Sequence, residues 1–268
     1  MVLKMNQLTI FTIATGEYLN YWFKLVESST KFLDKQLGVQ WILLTDKKEE
    51  VFLNTIVTSD LNLHVIPIEN LSWPLPTILR YEFIEKFKSS ITGDYIMYLD
   101  ADMLFIKQVT RNYLISLLSS QEIVFTIHPG FYRPSGFQLF QFYVRNPIYL
   151  LKDLRKYLEF GALGTWERNK KSQAYVNRNS RSIYVCGGVW FGKAASIINM
   201  CIQLSSRVRC DFENQIVAIH NDESHLNWFA SNYPSKSIKP ELCFEPTYPQ
   251  LKSIEGLILA VDKGTYER

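Results

Sequence analysis

The amino-acid sequence predicts an α/β fold. Apolar, β-branched runs of strand length alternate with longer stretches that have helical periodicity. The first elements follow the order β-α-β-β, which resembles one half of a nucleotide-binding α/β domain. Hydrophobic residues make up 47% and charged residues 21% of the 268 positions, a globular composition that fits one large α/β domain or two small ones.

The first half of the chain has regular strand and helix signals. The predicted elements are a strand at 8–15, a helix at 17–37, strands at 39–45 and 63–68, a helix at 77–88 and a strand at 95–99. Charged residues 46–50 indicate a loop, and Trp73-Pro74-Leu75-Pro76 interrupts the pattern. Ligands of open α/β sheets bind beyond the carboxyl ends of the strands, so we expect a site after strands 8–15 and 95–99.

The second half is less regular. The predicted elements are a helix at 111–120, a strand at 122–127, helices at 150–160 and 194–209, a strand at 183–192, a strand or helix at 214–219, and a helix from Asp222. The basic, polar segment 166–181 is predicted to be a mobile loop. Helical spacing in the segment 133–164 is typical of core packing, and the residues concerned are Leu150, Leu151, Leu154, Tyr157 and Leu158.

Asp100 and Asp102 directly follow the predicted strand 95–99. Residues two apart in an extended segment point the same way, so both carboxylates are expected on one side of the chain. Two such oxygen ligands suit a divalent cation that also binds phosphate oxygens. A solvated turn is the alternative for the tripeptide alone, but two anions after a buried strand favour a neutralising partner.

Other side chains have two interpretations each. Arg80 is either a solvated surface charge or a phosphate ligand, because its planar guanidinium suits phosphate. His128 is either a polar residue at the end of a strand or a catalyst. Gly187-Gly188 interrupts a strand, which often marks the close approach of a ligand or of another backbone.

The motif Asp222-Glu223 also has two interpretations. It is either the first turn of a helix or, with His220 and His225, a metal site. The two histidines are five residues apart, which is poor spacing for one face of a helix.

Charge and composition also bear on location and partners. A net charge of +3 gives no argument for nucleic acid. No apolar run of about 18 residues indicates a transmembrane helix, and the first residues lack a signal-peptide pattern. The four cysteines are widely spaced with no C-x-x-C motif, which favours reduced thiols in a cytoplasm over a structural disulfide. We therefore expect a soluble, cytoplasmic protein.

Eight segments, taken in order, resemble the family 6 glycosyltransferases. These are retaining α1,3-galactosyl- and N-acetylgalactosaminyltransferases that include the blood-group A and B enzymes. HPGFY at 128–132 and NDESHLN at 221–227 are the most specific segments, and the others lie at 11–18, 98–103, 165–168, 172–175, 184–192 and 239–245. The resemblance covers nearly the whole chain from about residue 8. It does not extend over 133–164, which is an inserted segment relative to the family.

This resemblance implies a GT-A fold: a single Rossmann-like domain over 1–268 with a mixed central sheet. Residues 1–127 would mainly bind the donor, and 128–268 would mainly bind the acceptor and carry the catalytic group. A UDP-sugar donor, an oligosaccharide galactoside acceptor and Mn²⁺ (or Mg²⁺) are implied as partners. Because this chain keeps both aspartates of the D-x-D motif, we expect a soluble microbial or phage-type member that needs metal.

The resemblance also implies roles for individual residues. Glu223 falls on the catalytic glutamate. Donor-binding positions are Ile13, Ala14, Thr15, Tyr18, Arg80, Asp100, Ala101, Asp102, Cys186, Gly187, Gly188, Asp222 and Lys263, with Asp100 and Asp102 as metal ligands. Acceptor-binding positions are His128, Thr165, His220 and Glu245. His220 and Asn221 depart from the tryptophan and histidine that are typical of the family, which leaves the acceptor contacts open.

Donor choice is implied by Cys186-Gly187-Gly188, since two glycines leave room for an N-acetyl group. This favours N-acetylgalactosamine over galactose and predicts that Gly188→Leu impairs transfer of N-acetylgalactosamine more than transfer of galactose. A glucosyltransferase of the same architecture and a sugar-binding protein without turnover are the alternatives. The sequence leaves a covalent intermediate and same-face attack equally open.

Overall fold

The computed structural model describes residues 7–261. Strands β1–β9 span Gln7–Ile13, Gly38–Thr45, Asn62–Pro67, Tyr95–Leu99, Met103–Phe105, Ile123–Ile127, Val185–Lys193, Lys236–Ile238 and Ile258–Ala260. Helices α1–α10 span Tyr18–Phe32, Lys48–Leu53, Thr55–Thr58, Leu75–Ile78, Arg80–Lys86, Arg111–Leu117, Phe137–Arg145, Pro147–Phe160, Ala194–Glu213 and Asn221–Asn232. No helix in this part of the chain is long and apolar enough to cross a membrane.

Seven strands form a central sheet in the order β3-β2-β1-β4-β7-β6-β8. The first four run parallel, β7 runs antiparallel to β4 and β6, and β8 is parallel to β6. Strands β5 and β9 form a separate antiparallel pair. This mixed sheet confirms the predicted GT-A, Rossmann-like fold class.

The sheet has a hydrophobic core on each face, because successive strand residues point to opposite sides. In β4, Tyr95, Met97 and Leu99 pack into the core that contains Trp22 of α1. Ile96 and Tyr98 pack into the other core, with side chains of α5 and α9. A strand covered on both faces reads as a continuous apolar run, which is why the sequence predicts β4 at 95–99 without error.

Several predicted elements differ in extent from the observed ones. The predicted helix 17–37 ends at Phe32, because Leu33 already has extended backbone angles. The predicted helix 77–88 is divided at Leu79 into α4 and α5. Helix α2 begins at Lys48, inside the predicted loop 46–50. The prediction of a strand or helix at 214–219 is wrong, since Gln215 has a left-handed φ of 57° and the chain turns there.

The segment 166–181 is irregular, as predicted, but buried side chains anchor it. Glu167 is 6% exposed and accepts hydrogen bonds from the backbone N–H groups of Arg168, Asn169 and Ile219 at 2.7 Å each. Ser172 donates to the buried Asp211 of α9 at 2.6 Å. These bonds tie the segment to α9 and to the loop before α10.

The inserted segment forms two consecutive helices, α7 and α8, which we call the α7–α8 hairpin (residues 137–160). The prediction that its leucines pack into a core is wrong. The exposed fractions of Leu151, Leu154 and Leu158 are 64%, 51% and 78%. The residue of α8 that is turned inward is instead Asp153, which is 3% exposed and bound to Arg133.

Candidate active site

A pocket of about 260 Å³ opens beyond the carboxyl ends of β1 and β4, where the sequence predicts a site. Seven of the predicted donor-binding residues line it, namely Ile13, Thr15, Tyr18, Arg80, Asp100, Ala101 and Asp102. Tyr98 of β4 also lines it, and a second group, Asn70, Leu71, Trp73, Pro76 and Thr77, completes the wall. Sequence reasoning missed this second group, for which the break at 73–76 was the only signal.

Arg80 lies at the base of the pocket and is 2% exposed, so it is not a solvated surface charge. Its guanidinium pairs with Asp100 Oδ1 at 3.2 Å and with Asp222 Oδ2 at 3.3 Å. It also donates to the carbonyl oxygens of Gly187 at 2.8 Å and Thr77 at 3.0 Å. Most of its N–H groups therefore contact protein acceptors, and Arg80 fixes the positions of two carboxylates.

The carboxylates of the site outnumber its cation. Asp100, Asp222 and Glu223 converge near Arg80, and Asp102 lines the same pocket. Arg80 is the one basic side chain among the described residues that line this pocket. Burial raises the pKa of Asp222 to about 7, although the Arg80 charge limits the rise. A site with this excess of negative charge suits an added cation.

Asp100 and Asp102 fit a divalent cation by the chemistry of their oxygens. Asp100 Oδ1 accepts a hydrogen bond from the Tyr98 hydroxyl at 3.0 Å, and within residues 7–261 Oδ2 has no hydrogen bond. The described part of the chain contains no group of three His, Cys, Asp or Glu side chains suited to a metal. A cation held by these two aspartates would therefore need further oxygen ligands from a bound phosphate or from water.

Gly187 and Gly188 of β7 lie where two carboxylate side chains closely approach the strand. A Cβ atom on Gly187 would lie 2.9 Å from Asp222 Oδ2, and one on Gly188 would lie 3.0 Å from Asp100 Oδ2. The strand is held at this position by a hydrogen bond of 2.9 Å from Asp100 N–H to the Gly188 carbonyl. The close approach predicted for the glycines is therefore made by two acidic side chains.

Glu223 sits in the first turn of α10, beside Gly187. Its Oε2 accepts a hydrogen bond of 2.9 Å from Gly187 N–H. Burial raises the pKa of the Glu223 carboxyl above its ordinary value, while this bond and the nearby Tyr184 hydroxyl oppose the rise. Glu223 is thus a partly desolvated carboxylate at a fixed position.

Two residues that sequence reasoning missed hold α10 in place, Asn227 against β7 and Tyr81 against α5. The Asn227 side chain accepts from Val185 N–H at 2.8 Å and donates to the Val185 carbonyl at 2.9 Å. The Tyr81 hydroxyl donates to the Asp222 carbonyl at 3.0 Å. Asn227 belongs to the segment NDESHLN, so its place in that motif was the available signal.

Tyr184 connects Glu223 to the predicted acceptor residues. Its hydroxyl interacts with Glu223, and Thr165 Oγ1 donates to it at 3.3 Å.

The His128 ring packs against Tyr184 and Phe131, and this burial lowers the pKa of His128 to about 4. The His128 Nδ1 atom accepts from Gly130 N–H at 3.1 Å, as a neutral ring can. The structure therefore brings His128, Thr165 and Glu223 together around one buried tyrosine.

A second cleft of about 570 Å³ opens beside His128. It lies between α8 and the loop that carries HPGFY, and its other wall includes Tyr248. A series of contacts connects the pocket at the ends of β1 and β4 to this cleft, through Arg80, Asp222, Glu223, Tyr184 and His128.

Three predicted site residues lie elsewhere. Ala14 is fully buried in the core, and Cys186 is 3% exposed in the same core. His220, by contrast, is exposed at the start of α10 and lies close enough for its charge to act on the Glu223 carboxyl. Glu245 accepts hydrogen bonds from Thr247 in its own turn and does not line the cleft, although Tyr248 of that turn does. Lys263 lies outside the described residues.

His225 does not form the alternative metal site with His220. It is 3% exposed and lies 3.5 Å from Asp211, whereas His220 is exposed. Burial and the Arg207 charge lower the pKa of His225 to about 3, so the ring is neutral. Asp211 also binds Ser172 and Gln173, so this cluster anchors the segment 166–181.

Comparisons with known proteins agree with the resemblance. A family model described as Glycosyltransferase family 6 matches residues 157–267. The O-antigen biosynthesis glycosyltransferase WbnI of Escherichia coli is 25% identical over 223 residues, which are 83% of this chain and 81% of that protein.

Two vertebrate relatives show similar identity over most of this chain. The globoside alpha-1,3-N-acetylgalactosaminyltransferase 1 of Canis lupus familiaris is 26% identical and covers 96% of this chain and 66% of its own length. The histo-blood group ABO system transferase 1 of Rattus norvegicus is 26% identical and covers 89% of this chain and 60% of its own length. The chain thus spans less than two thirds of the length of these vertebrate proteins. The family match, the relatives and the assembled motifs together support membership of glycosyltransferase family 6.

Proposed function

We propose that this protein is a retaining, metal-dependent hexosyltransferase that moves N-acetylgalactosamine or galactose from a UDP-sugar, in α1,3 linkage, to a galactoside. The observation that carries the proposal is the continuous set of contacts from the Asp100–Asp102 pocket through Arg80 and Asp222 to Glu223. The printed names of two relatives, a globoside alpha-1,3-N-acetylgalactosaminyltransferase and an ABO transferase, support the type of reaction.

We propose that the two cavities bind the two substrates separately. We assign the UDP part of the donor to the pocket at the ends of β1 and β4, where Ile13 and Tyr18 offer an apolar and an aromatic surface. We assign the acceptor to the cleft beside His128 and Tyr248. The transferred sugar would then lie near Asp222 and Glu223, between the two cavities.

Glu223 is the residue we assign to the chemical step. Transfer breaks the bond between C1 of the sugar and UDP, and the electron pair leaves with the diphosphate. C1 then bonds to the oxygen of an acceptor hydroxyl, whose proton is taken up by the departing diphosphate. Positive charge develops at C1, and a carboxylate on the face opposite UDP lowers the barrier either as nucleophile or as electrostatic stabiliser. The hydrogen bond from Gly187 N–H holds Glu223 in one orientation for that role.

Asp100 and Asp102 are the residues that would hold Mn²⁺ or Mg²⁺. When bound, such an ion supplies Lewis-acid stabilisation of the negative charge on the departing diphosphate. Arg80 keeps Asp100 Oδ1 in place by its contact at 3.2 Å. In this assignment Arg80 acts chiefly by positioning the two aspartates.

The choice between N-acetylgalactosamine and galactose needs a different test from Gly188→Leu. A side chain at Gly188 would first strike Asp100, and one at Gly187 would first strike Asp222. Either substitution is therefore expected to impair transfer from both donors. Direct competition between UDP-N-acetylgalactosamine and UDP-galactose in the unmodified protein measures the preference without this side effect.

The proposal is tested by measuring UDP release and product formation from three donors, UDP-N-acetylgalactosamine, UDP-galactose and UDP-glucose, with a panel of galactosides. We expect turnover with one or both of the first two, which a chelator removes and Mn²⁺ restores. Turnover with UDP-glucose alone would instead identify a glucosyltransferase. Binding of a UDP-sugar without turnover on any acceptor would favour the non-catalytic alternative.

The assignment of a metal to Asp100 and Asp102 can be tested with one variant and a matched control. Asp102→Asn should abolish activity or its dependence on Mn²⁺, because it removes one anionic ligand. Asp60→Asn, at an exposed position of the loop before β3, should leave the Mn²⁺ dependence unchanged. If Asp102→Asn retains the Mn²⁺-dependent rate of the unmodified protein, the aspartates have no part in the mechanism.

A further inference from the structure

We propose that the α7–α8 hairpin is a docking surface for an anionic lipid bilayer. The first observation is its concentration of exposed apolar side chains. Of the sixteen large hydrophobic side chains that are exposed among those the structure describes, nine belong to the hairpin: Phe137, Phe140, Val144, Ile148, Leu150, Leu151, Leu154, Tyr157 and Leu158. Large apolar patches of this kind on a folded domain mark interaction sites.

Helix α8 turns a charged residue toward the protein and apolar residues toward the outside, the opposite of an ordinary surface helix. Its inward-facing residues include Asp153, whose carboxylate oxygens accept from Arg133 at 2.5 and 2.6 Å and from the Tyr143 hydroxyl at 2.8 Å. Leu151, Leu154 and Leu158, spaced i, i+3 and i+7, form a stripe on the exposed side. The helix is thus held to the protein by a buried ion pair and presents its apolar stripe to the surroundings.

The first helix of the hairpin, α7, has a similar stripe. Phe137, Phe140 and Val144 of α7 also have the spacing i, i+3 and i+7, and their exposed fractions are 71%, 64% and 64%. The rings of Phe137 and Phe140 stack with centroids 6.2 Å apart. Two consecutive amphipathic helices with aromatic and leucine side chains outward are typical of segments that lie in a membrane interface.

The charges around these stripes identify the kind of partner. The hairpin carries Arg145, Lys152, Arg155 and Lys156 at its surface, and the last three also line the cleft beside His128. Its one exposed acidic residue, Glu159, is paired with Arg168. The whole chain has a net charge of only +3, so basic charge is concentrated here. A second copy would bring the same cations against each other, while anionic lipid headgroups attract them. The apolar stripes and the basic residues together therefore favour an anionic bilayer.

The test is co-sedimentation of the full chain with vesicles of phosphatidylglycerol and phosphatidylcholine, compared with vesicles of phosphatidylcholine alone. We expect binding to the mixed vesicles, weaker binding to the zwitterionic ones, and loss of binding as salt rises. The double variant Leu151→Ser/Leu158→Ser should bind about tenfold more weakly or worse. Lys152→Gln/Arg155→Gln should weaken binding by roughly fivefold for each charge removed.

Matched controls use equally exposed residues elsewhere. Leu53→Ser changes a leucine that is 82% exposed at the end of α2, and Lys35→Gln/Lys48→Gln removes two exposed lysines. All variants alter surface side chains, and their thermal unfolding checks that they are folded. Both controls should bind like the unmodified protein.

Three outcomes would overturn the proposal. The first is absence of binding to mixed vesicles by the unmodified protein. The second is equal binding by the unmodified protein and the leucine variant, or equal losses in the leucine variant and Leu53→Ser. The third is a concentration-dependent dimer that the leucine variant abolishes while vesicles do not bind, which would show that a second copy covers the hairpin. None of these outcomes depends on whether the protein transfers a sugar, which is measured separately with soluble acceptors.

Discussion

Two buried arginine–aspartate clusters in this protein contain the same chemical groups in different proportions. Around Arg133, one cation meets one carboxylate, Asp153, in a two-pronged contact at 2.5 and 2.6 Å. Around Arg80, one cation meets two aspartates at 3.2 and 3.3 Å, with Glu223 close by. A tyrosine hydroxyl donates to an aspartate in each cluster, Tyr143 to Asp153 and Tyr98 to Asp100.

The difference separates a structural ion pair from a site prepared for a ligand. A buried charge is tolerated when a partner of opposite charge and complete hydrogen bonds compensate it. The Arg133 cluster meets this condition by itself. The Arg80 cluster does not, since burial raises the pKa of Asp222 to about 7. We therefore expect changes in the Arg80 cluster to affect chemistry and changes in the Arg133 cluster to affect stability.

The largest expected effect comes from Glu223→Gln. The amide oxygen of glutamine still accepts from Gly187 N–H, so the fold is kept while the charge at the reacting carbon is lost. We expect kcat for sugar transfer to fall by about 10³-fold with little change in the unfolding temperature. The control is Glu49→Gln at an exposed position of α2. A rate within tenfold of the unmodified protein would remove Glu223 from the chemical step.

Asp222→Asn should change how stability depends on pH. The pKa of Asp222 is raised to about 7 in the folded protein, so the stability that its neutral form contributes is lost as pH rises from about 4 to 7. Asparagine stays neutral, and the variant should therefore gain stability relative to the unmodified protein across this interval. The scale is about 1.4 kcal/mol for every pH unit by which the pKa is raised.

Urea unfolding at a series of pH values, without added metal, measures this difference. Asp60→Asn is the control, because it changes an exposed aspartate. If the two variants follow the same pH dependence, Asp222 is ionised in the folded protein throughout and Arg80 compensates it fully.

Arg80→Lys tests whether the guanidinium positions both aspartates. Lysine keeps the charge but cannot reach Asp100, Asp222 and the Gly187 carbonyl in the same fork-like geometry. We expect about a 10²-fold loss in kcat and a weaker apparent affinity for Mn²⁺. An unchanged Mn²⁺ affinity with a raised KM for the donor would instead indicate direct contact between Arg80 and the donor.

The smallest expected effects come from a closely matched pair of variants, Tyr98→Phe and Tyr143→Phe. Each substitution removes one hydroxyl that donates to an aspartate, at 3.0 Å and 2.8 Å respectively. Tyr98→Phe should weaken Mn²⁺-dependent activity about tenfold, because it loosens a metal ligand. Tyr143→Phe should instead lower the free energy of unfolding by about 1 kcal/mol. Equal effects on activity would show that the two clusters do not differ in function.

Much of the fold could be predicted from local sequence. The run Tyr95–Leu99 is apolar at every position because β4 is covered on both faces, and Asp100 follows at the edge of the sheet. The position of the pocket could be predicted for the same reason, since it lies at the ends of β1 and β4. Both depend on short segments whose neighbours in space are also fixed by the sheet.

The orientation of α8 and the role of Tyr184 could not be predicted in this way. The leucine spacing of α8 defines an apolar stripe but does not say whether the stripe faces the protein. That depends on the pairing of Asp153 with Arg133, twenty residues earlier in the chain. Tyr184 is one buried aromatic among many in the sequence, and it acquires a role only when Thr165, His128 and Glu223 converge on it.

The way in which α8 is held has a consequence for local unfolding. Asp153 attaches the middle of the helix and Phe160 attaches its end, whereas most of its apolar side chains are at least half exposed and gain less from burial. The helix can therefore detach without opening the central sheet, as a cooperative unit of its own. Native-state hydrogen exchange should reveal this: amide protons of α8 would exchange well before those of β1 and β4, and a bound surface that covers the leucines would slow them selectively.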